Sequence, residues 1–339
     1  MRFFPDFISW KKIRMSKRVL TWIKPTSENL HIANYFGSLK HIIDFQNNWY
    51  ETFLFLANMH GLTTIHNKDD LYNYWRKAIR TYIAVWIDPE KTLIYNPAEV
   101  WYHANLSWIL GCITTMWYMW RMHSYKDALE SWEKEKTTVG TFSYPILMAA
   151  DILLYSPDIV PVWNDQKQHL EYTRDIAEKF NNTFGETFKL PNPYIPEGVA
   201  TIPWIDWRKM SKSYNNYIWL FDDDDLILKK VRSITTMSVW IEEPKNPEEC
   251  NVYNILRLFL TEEENNKIYQ RYLEWGLSFK EVKDYLYEKL VEFINPIREK
   301  ERDLSDEEVK KIMYNWTEKA KQIASEKIKE VYENTGLKI

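Results

Sequence analysis

The sequence is poor in glycine and cysteine and has no long apolar runs. Only 8 of its 339 residues are glycine, whereas glycine usually makes up ~7% of a globular protein. The two cysteines, Cys112 and Cys250, lie far apart and form no Cys-x-x-Cys motif, which argues against a disulfide framework and a zinc cluster. No stretch approaches the roughly 20 apolar residues that span a membrane. These absences predict a cytoplasmic protein without a membrane partner.

Size and charge leave the class of partner open. The chain is long enough for two domains, and its 44 basic and 48 acidic side chains give a net charge of −4. This value neither indicates nor excludes a nucleic acid, because basic residues can be confined to one face. Residues 1–14 have basic residues after a short apolar stretch and no small-residue cleavage site, so we interpret them as a disordered extension or as a misassigned start, with Met15 as the alternative.

Strand and helix patterns alternate over the first two thirds of the chain. The segment RVLTWI predicts a strand, KPTSEN a turn, HIANYFGSLKHIIDFQNN a helix and ETFLFLANMH a second buried strand. This order opens a βαβ unit and therefore predicts a parallel sheet. Helices are expected over much of 71–136, and a strand followed by a helix in DIVPVWNDQKQHLEYTRDIAEKFN. A last strand and loop are expected in GVATIPWIDWRKMSKS.

The last third of the chain has a different composition. From about Leu226 it is helical in pattern and rich in lysine and glutamate. We therefore expect an α/β fold with a Rossmann-type parallel-sheet domain at 15–218 and an all-helical domain at 219–339. The acidic run Asp222–Asp225 is interpreted as a solvated cap on the next helix.

Two motifs indicate phosphate chemistry. KMSKS, Lys209–Ser213, concentrates two ammonium groups and two hydroxyls in five residues, and such donors stabilise phosphoryl charge when a loop brings them in. His31 and Asn34 are expected to open a helix, where backbone N–H groups attract phosphate. Taken singly, these motifs also fit a surface loop and a capping histidine. Asp151 stands in the apolar segment ILMAADILLY, where a carboxylate needs a partner or a function.

Together the two motifs form the arrangement of class I aminoacyl-tRNA synthetases, and longer segments resemble the bacterial tryptophanyl-tRNA synthetase family. These are TWIKPTSENLHIANYFGSLK, YPILMAADILLYSPDIVPVWNDQKQHLEYTRDIAEKFN and KMSKSYNN, and the resemblance runs from about Ser16 to Leu337. It implies a catalytic domain, an anticodon-binding domain at 219–339 and a homodimer. It also implies activation of L-tryptophan with ATP and Mg²⁺, followed by transfer to tRNA(Trp), with no dedicated metal site in the protein.

The resemblance assigns roles to individual residues. Lysines that act on the triphosphate are Lys126, Lys209 and Lys212. The ATP-binding set is Lys24, Pro25, Thr26, His31, Ala33, Asn34, Trp163, Asn164, Asp165, Lys209, Met210, Ser211, Lys212 and Ser213. The tryptophan-binding set is Asp151, Met148, Val160, Gln166 and His60, with Asp151 accepting the indole N–H, the one hydrogen-bonding group of that side chain. The family usually has glycine where Ala33 stands, so its methyl group loosens the expected adenine packing.

Two alternatives remain open at this point. A tyrosyl-tRNA synthetase of the same class would be expected to have a Tyr/Gln/Asp set in place of the MAAD aspartate and the DQKQH loop. A reading of a different class is a non-catalytic RNA-binding relative, or a decayed gene product whose pocket is blocked by Trp163 and Trp204. The intact Lys209, Lys212, Asp151 and Asp165 argue against decay.

The sequence contains 17 tryptophans and 8 glycines, so tryptophan is in excess where glycine is deficient. The family has glycine at the positions of Trp22, Trp86, Trp117, Trp120, Trp163, Trp204, Trp207, Trp219 and Trp240, and plausibly at those of Trp49, Trp75, Trp101, Trp132, Trp275 and Trp316. Glycine at all of them would restore the usual ~7%. Side chains forced into left-handed turns cost roughly 1–2 kcal/mol each, and a dozen such substitutions would approach or exceed the ~5–15 kcal/mol that holds a domain folded. We therefore hypothesise that the source organism reads UGA as glycine and that the functional protein carries glycine there.

The coding sequence tests this hypothesis. We expect UGA at codons 22, 86, 117, 120, 163, 204, 207, 219 and 240. Codon 108 should be UGG, because Trp108 matches a position that the family fills with an apolar aromatic residue. Sequencing the gene provides the measurement, and UGG at most of the first nine codons would instead favour a divergent, inactive relative.

Overall fold

A five-stranded parallel sheet forms the centre of the protein. The computed structural model describes residues 17–23, 30–122, 137–162, 166–195, 217–237 and 239–338. The strand order is β3-β2-β1-β4-β5, and every neighbouring pair is parallel. The strands are Arg18–Ile23 (β1), Glu51–Leu56 (β2), Thr92–Tyr95 (β3), Ile159–Pro161 (β4) and Asn192–Tyr194 (β5).

Helices cover both faces of this sheet and make up the C-terminal third. The first helix, α1, is continuous through Ile32–Asn34, a π-helical stretch Tyr35–Leu39, and Lys40–Asn47. The others are Asn58–Gly61 (α2), Lys68–Ala84 (α3), Tyr102–Ile113 (α4), Met116–Trp120 (α5), Val139–Leu153 (α6), Lys167–Phe184 (α7), Asp224–Arg232 (α8), Asn251–Leu256 (α9), Glu262–Leu273 (α10), Phe279–Asp303 (α11) and Asp306–Thr335 (α12).

The alternation of side chains along β2 creates two cores. Leu54 and Leu56 pack into one core with α1, α3 and the helices that follow α8, whereas Phe53 and Phe55 face the other core with α4, α6 and α7. Successive strand residues point to opposite faces, so an unbroken apolar run is what a strand covered on both sides requires. Helix α12 contributes to both cores, with Trp316 in the first and residues 320–331 in the second.

The α/β fold class and the first βαβ unit are confirmed, with differences in detail. The expected strand ETFLFLANMH ends at Leu56, and Asn58–Gly61 forms a helix instead. Strands β3 and β5 were not anticipated from the sequence. The strand expected in GVATIPWIDW lies outside the described residues.

The acidic run 222–225 is a helix cap in part. Asp223 caps α8 by accepting a hydrogen bond from the Leu226 N–H at 2.7 Å. Asp222 is not solvated, which corrects the sequence expectation: it is 6% exposed and accepts hydrogen bonds from the Trp219 N–H and from Lys230 Nζ, the latter at 2.6 Å. The carboxylate is buried because the chain folds back over it, and the lysine compensates its charge.

Three helices end at a residue whose backbone has the left-handed conformation. Trp49 after α1, Trp86 after α3 and Gly336 after α12 have φ angles of 63°, 68° and 73°. In each case the next N–H bonds the carbonyl five residues back, which is the Schellman motif. These bonds are Tyr50 N to Phe45 O at 3.2 Å, Ile87 N to Tyr82 O at 3.1 Å and Leu337 N to Tyr332 O at 2.9 Å. Glycine normally fills this position because a Cβ is strained there, so the backbone at 49 and 86 supports the glycine hypothesis.

Position 316 carries no such backbone signal. Trp316 lies inside α12, its indole is buried, and its Nε1–H donates to the Pro89 carbonyl at 2.9 Å. The backbone there is helical and does not require glycine, so only the coding sequence decides this position.

Position 49 offers a direct test of the backbone argument. We expect Trp49→Gly to raise the free energy of unfolding by about 1 kcal/mol, because the left-handed strain disappears and the indole, 84% exposed, has few contacts to lose. Trp49→Ala keeps the Cβ and should gain much less, while Gly336→Ala should lose a comparable amount. Denaturant unfolding measures all three, and equal stability of the two Trp49 variants would contradict the argument.

Candidate active site

The strand order reverses between β1 and β4. From β1 the chain continues outward to β2 and β3, and from β4 it continues outward to β5. Connections that diverge in this way leave a crevice at the carboxyl ends of the two strands, which is where α/β proteins bind ligands. A cavity of about 70 Å³ lies here, lined by Thr21, Trp22, Gly37, Ser38, His41, Pro161, Val162 and Gln166.

Many of the expected phosphate-binding residues lie outside the described residues. The chain leaves β1 directly before residue 24 and leaves β4 two residues before residue 163, so two of these segments follow the strands that border the crevice. The residues concerned are Lys24, Pro25, Thr26, Lys126, Trp163, Asn164, Asp165, Lys209, Met210, Ser211, Lys212 and Ser213.

The start of α1 lies against the segment that follows KMSKS in the chain. Backbone bonds join Ile32 N to Ile218 O at 3.1 Å and Leu220 N to Leu30 O at 3.0 Å. The His31 ring packs 6.0 Å from the Trp219 ring, centroid to centroid. The fold thus brings the described neighbours of both signature motifs together.

His31 and Asn34 form a reciprocal cap on α1. The Asn34 N–H donates to His31 Nδ1 at 3.3 Å, and the His31 N–H donates to Asn34 Oδ1 at 3.1 Å. This capping box satisfies two N–H groups at the helix start. Ala33, the third expected ATP-binding residue on this turn, is half-buried beside them.

Asp151 is the most deeply buried of the expected site residues. It lies on α6 and is 1% exposed. Its Oδ2 lies 2.8 Å from His60 Nε2, and its Oδ1 lies 2.6 Å from His103 Nδ1. Burial raises the pKa of Asp151, but electrostatic attraction and a hydrogen bond from His103, together with the contact to His60, more than offset this effect, so the pKa lies below its usual value. The carboxylate is therefore ionised at neutral pH and acts as an acceptor.

The other expected tryptophan-binding residues lie on α6, on β4 and at the start of α7. Met148 lies three positions before Asp151 on α6, hence on the same helix face. Met148 and Val160 of β4 are buried in the core that contains α6. Gln166 lines the crevice at the start of α7.

Two residues of the site were missed in the sequence. His103 on α4 contacts Asp151 as described, and its Nε2 lies 3.1 Å from the Tyr155 hydroxyl. Both side chains are fully buried. The signal that identified Asp151, a polar group in an apolar segment, was present for His103 in YHANLSWIL but was not used.

Neither a metal cluster nor a membrane span occurs in the described part of the chain. There, no group of three or more His, Cys, Asp or Glu side chains is placed to hold a metal ion. Within the same ranges no helix is long and apolar enough to cross a membrane.

The sheet order, the crevice at its switch point and the capped helix beside it define a nucleotide-binding α/β protein. Residues 12–295 match the family model described as tRNA synthetases class I (W and Y). The chain belongs to this family.

Individual relatives match almost the whole chain. A Fusobacterium nucleatum protein named tryptophan–tRNA ligase is 41% identical over 324 residues, which cover 95% of this chain and 98% of the relative. The crystal structure of tryptophanyl-tRNA synthetase from Campylobacter jejuni complexed with ADP and tryptophane superposes with a TM-score of 0.85 at 39% identity, covering 94% of this chain and 99% of that one. The Mycoplasma pneumoniae tryptophanyl-tRNA synthetase gives a TM-score of 0.79 at 29% identity over 95% and 98% of the two chains.

The buried carboxylate predicts a specific pH dependence of stability. Because the folded-state pKa of Asp151 lies below its unfolded value, its stabilising contribution is present above the unfolded pKa and is lost as the pH falls through the folded pKa. We expect Asp151→Asn to be less stable than the parent at neutral pH, with a difference that shrinks at acid pH, below about 4. Denaturant unfolding across pH measures it, and a difference independent of pH would refute the ionised assignment.

Proposed function

We propose that the protein is a tryptophan–tRNA ligase. It activates L-tryptophan with ATP to tryptophanyl-adenylate and pyrophosphate and then transfers the tryptophanyl group to tRNA(Trp). The observation that carries the proposal is the buried, ionised Asp151, held by two histidines, in a chain that belongs to this synthetase family. The relatives named as tryptophan–tRNA ligases favour this substrate over tyrosine.

The chemistry requires positioning and charge stabilisation. In the first step the tryptophan carboxylate attacks the α-phosphorus of ATP, a new C–O–P linkage forms, and the bond to the departing pyrophosphate breaks. No protein nucleophile is needed, so the site acts by orienting the reactants and by stabilising negative charge. We assign this role to Lys126, Lys209 and Lys212, with Mg²⁺ neutralising part of the triphosphate when it is bound with ATP.

Asp151 provides the side-chain recognition in this proposal. Each of its oxygens has one histidine partner, and an ionised carboxylate offers about four acceptor sites. Acceptor capacity therefore remains for the indole N–H. Met148 and Val160 supply apolar walls, and Gln166 is assigned to the amino acid end of the substrate. The sequence comparison assigned His60 to that end as well, but its contact with Asp151 favours a position beside the indole N–H.

The remaining residues that we assign to ATP binding lie at the start of α1. His31, Ala33 and Asn34 occupy the first turn of the helix that borders the crevice. The backbone N–H groups of His31, Ile32 and Asn34 have protein partners, so it is the positive end of the helix dipole that favours phosphate at this turn. We propose that ATP lies there, between this turn and the segments that follow β1 and β4.

The cavity that the described residues line in the crevice is small. Trp22 lines it and stacks on Phe55 with ring centroids 5.9 Å apart. The cavity of about 70 Å³ is well below the roughly 300–1,000 Å³ of typical ligand pockets. We propose that the active form carries glycine at position 22, which would open the crevice to tryptophan and ATP.

A homodimer contact is proposed on α4 and the elements beside it. Trp108, Met116 and Val139 are 77%, 58% and 82% exposed. Trp108 and the exposed Cys112 lie four positions apart, on one face of α4. None of these positions belongs to the proposed glycine set. We propose that these side chains form one apolar surface, since contiguous surfaces of this kind mark protein interfaces.

We further propose that residues 219–339 bind the tRNA anticodon, in the cytoplasm.

Pyrophosphate exchange tests the function. We expect exchange that depends on tryptophan and not on tyrosine, in the chain as printed or with glycine at the fifteen positions.

Lys209→Ala and Lys212→Ala should lower kcat far more than they raise the KM for tryptophan, because their charges matter most as pyrophosphate departs.

A lysine remote from the crevice is the control for this experiment. Lys267→Ala removes an exposed lysine of α10 that pairs with Glu263, and we expect unchanged kinetics. Exchange supported by tyrosine alone would establish the tyrosyl enzyme, and no exchange in either form of the chain would establish a non-catalytic relative. If both lysine variants raised only the KM for tryptophan and left kcat unchanged, Lys209 and Lys212 would have no role in stabilising the phosphate charge.

A further inference from the structure

We propose that His103, supported by Tyr155, is a positioning residue that fixes the Asp151 carboxylate for the indole N–H of tryptophan. The inference rests on the proposed function. His103 acts through Asp151 and does not touch the substrate.

The contacts form a single hydrogen-bonded chain through the core. His60 Nε2 lies 2.8 Å from Asp151 Oδ2, and His103 Nδ1 lies 2.6 Å from Oδ1. On its far side, His103 Nε2 lies 3.1 Å from the Tyr155 hydroxyl. Three different elements, α2, α4 and α6, therefore meet at one carboxylate.

The donor roles follow from the ionised carboxylate. An ionised Asp151 can only accept, so His60 Nε2–H and His103 Nδ1–H donate. The Tyr155 O–H then donates to Nε2 of His103, which fixes the tautomer in which Nδ1 carries the proton. Tyr155 thus selects the form of His103 that holds the carboxylate.

Burial separates the roles of the two histidines. His103 is 0% exposed, whereas His60 is 9% exposed and Asp151 is 1% exposed. His103 is therefore enclosed on all sides and approaches the carboxylate from the core, while His60 approaches it from the less enclosed side. Two donors at different oxygens fix the rotation of the carboxylate plane, which one donor would leave free.

The groups around His103 are titratable but uncharged. The Tyr95 and Tyr155 rings lie 5.9 Å and 5.6 Å from the His103 ring. Burial raises the pKa of both phenols well above the usual value, so both stay protonated at neutral pH. Neither phenol therefore adds a charge beside the contact between His103 and Asp151.

Variants of the chain separate positioning from simple packing. We expect His103→Phe to lower kcat/KM for tryptophan about 10- to 100-fold, the usual effect of losing a hydrogen bond to a charged group, with the KM for ATP unchanged. His103→Asn places an amide N–H near the lost Nδ1–H and should recover part of the activity. Asp151→Asn is the reference for complete loss, with selectivity against phenylalanine and tyrosine falling as well.

A matched pair of tyrosine variants tests the outer contact. Tyr155→Phe removes a hydroxyl that bonds His103, whereas Tyr82→Phe removes an equally buried hydroxyl that has no hydrogen-bond partner among the described residues. We expect Tyr155→Phe to raise the KM for tryptophan and Tyr82→Phe to leave it unchanged. Equal effects would show that burial alone matters.

The pH profile provides a readout that a purely structural role would not move. Without His103 the pKa of Asp151 should rise, so in His103→Phe tryptophan affinity should fall off at a higher pH than in the parent as the solution is acidified. All variants are made in the form of the chain that catalyses exchange. Parent exchange with an unchanged tryptophan KM and pH profile in His103→Phe would overturn this inference and leave the proposed function standing.

An NMR measurement tests the contact between His103 and Asp151 even if the parent chain does not catalyse exchange. If the parent shows no exchange, the proposed function fails by itself. The slowly exchanging Nδ1–H proton of the enclosed His103 is then sought by NMR. Its presence in the parent and its shift in Asp151→Asn would support the contact, and its absence from the parent spectrum would overturn it.

Discussion

The parallel pairing of β1 with both β2 and β4 is the constraint on which the site depends. Strand β1 pairs with β2 on one side and with β4 on the other. The connections that follow β1 therefore run outward to β2 and β3, and the connection that follows β4 runs outward in the opposite direction to β5. The crevice results from this reversal. Helix α1 lines the crevice and α6 lies in the core on one face of the sheet, so the capped helix and the buried carboxylate are positioned by the same topology.

Local patterns predicted the parts of the fold whose burial is regular. Strand β1, helix α1 and the strand–helix pair β4–α7 had strong apolar periodicity and were found close to their expected bounds. Strand β3 spans four residues and β5 contains Pro193 and is exposed, so neither gives a periodic signal and their pairing partners decide their conformation. Asp222 shows the same limit, since only the tertiary fold brings Lys230 to it.

The tryptophan excess was visible in the sequence, but only the backbone conformation shows at which of these positions a side chain is strained. Composition identified fifteen positions together, whereas the φ angles at Trp49 and Trp86 identify two at which the chain itself demands a residue without Cβ. Trp22 adds a different reason, because an indole there occupies the crevice. Strain at helix ends and lost volume at the site are independent costs, and glycine would remove both.

Histidine partners suit Asp151 better than a lysine or arginine would. Under the proposed function, a lysine or arginine partner would bring several donors and a fixed charge that compete with the substrate for the carboxylate lone pairs, whereas an imidazole presents one N–H to one oxygen. Two such donors, at 2.8 Å and 2.6 Å, offset part of the cost of burying the charge and leave its field available. Under the proposed function, a single N–H on an otherwise apolar ring is then recognised strongly, because a ligand without it would leave the buried, ionised carboxylate short of a donor.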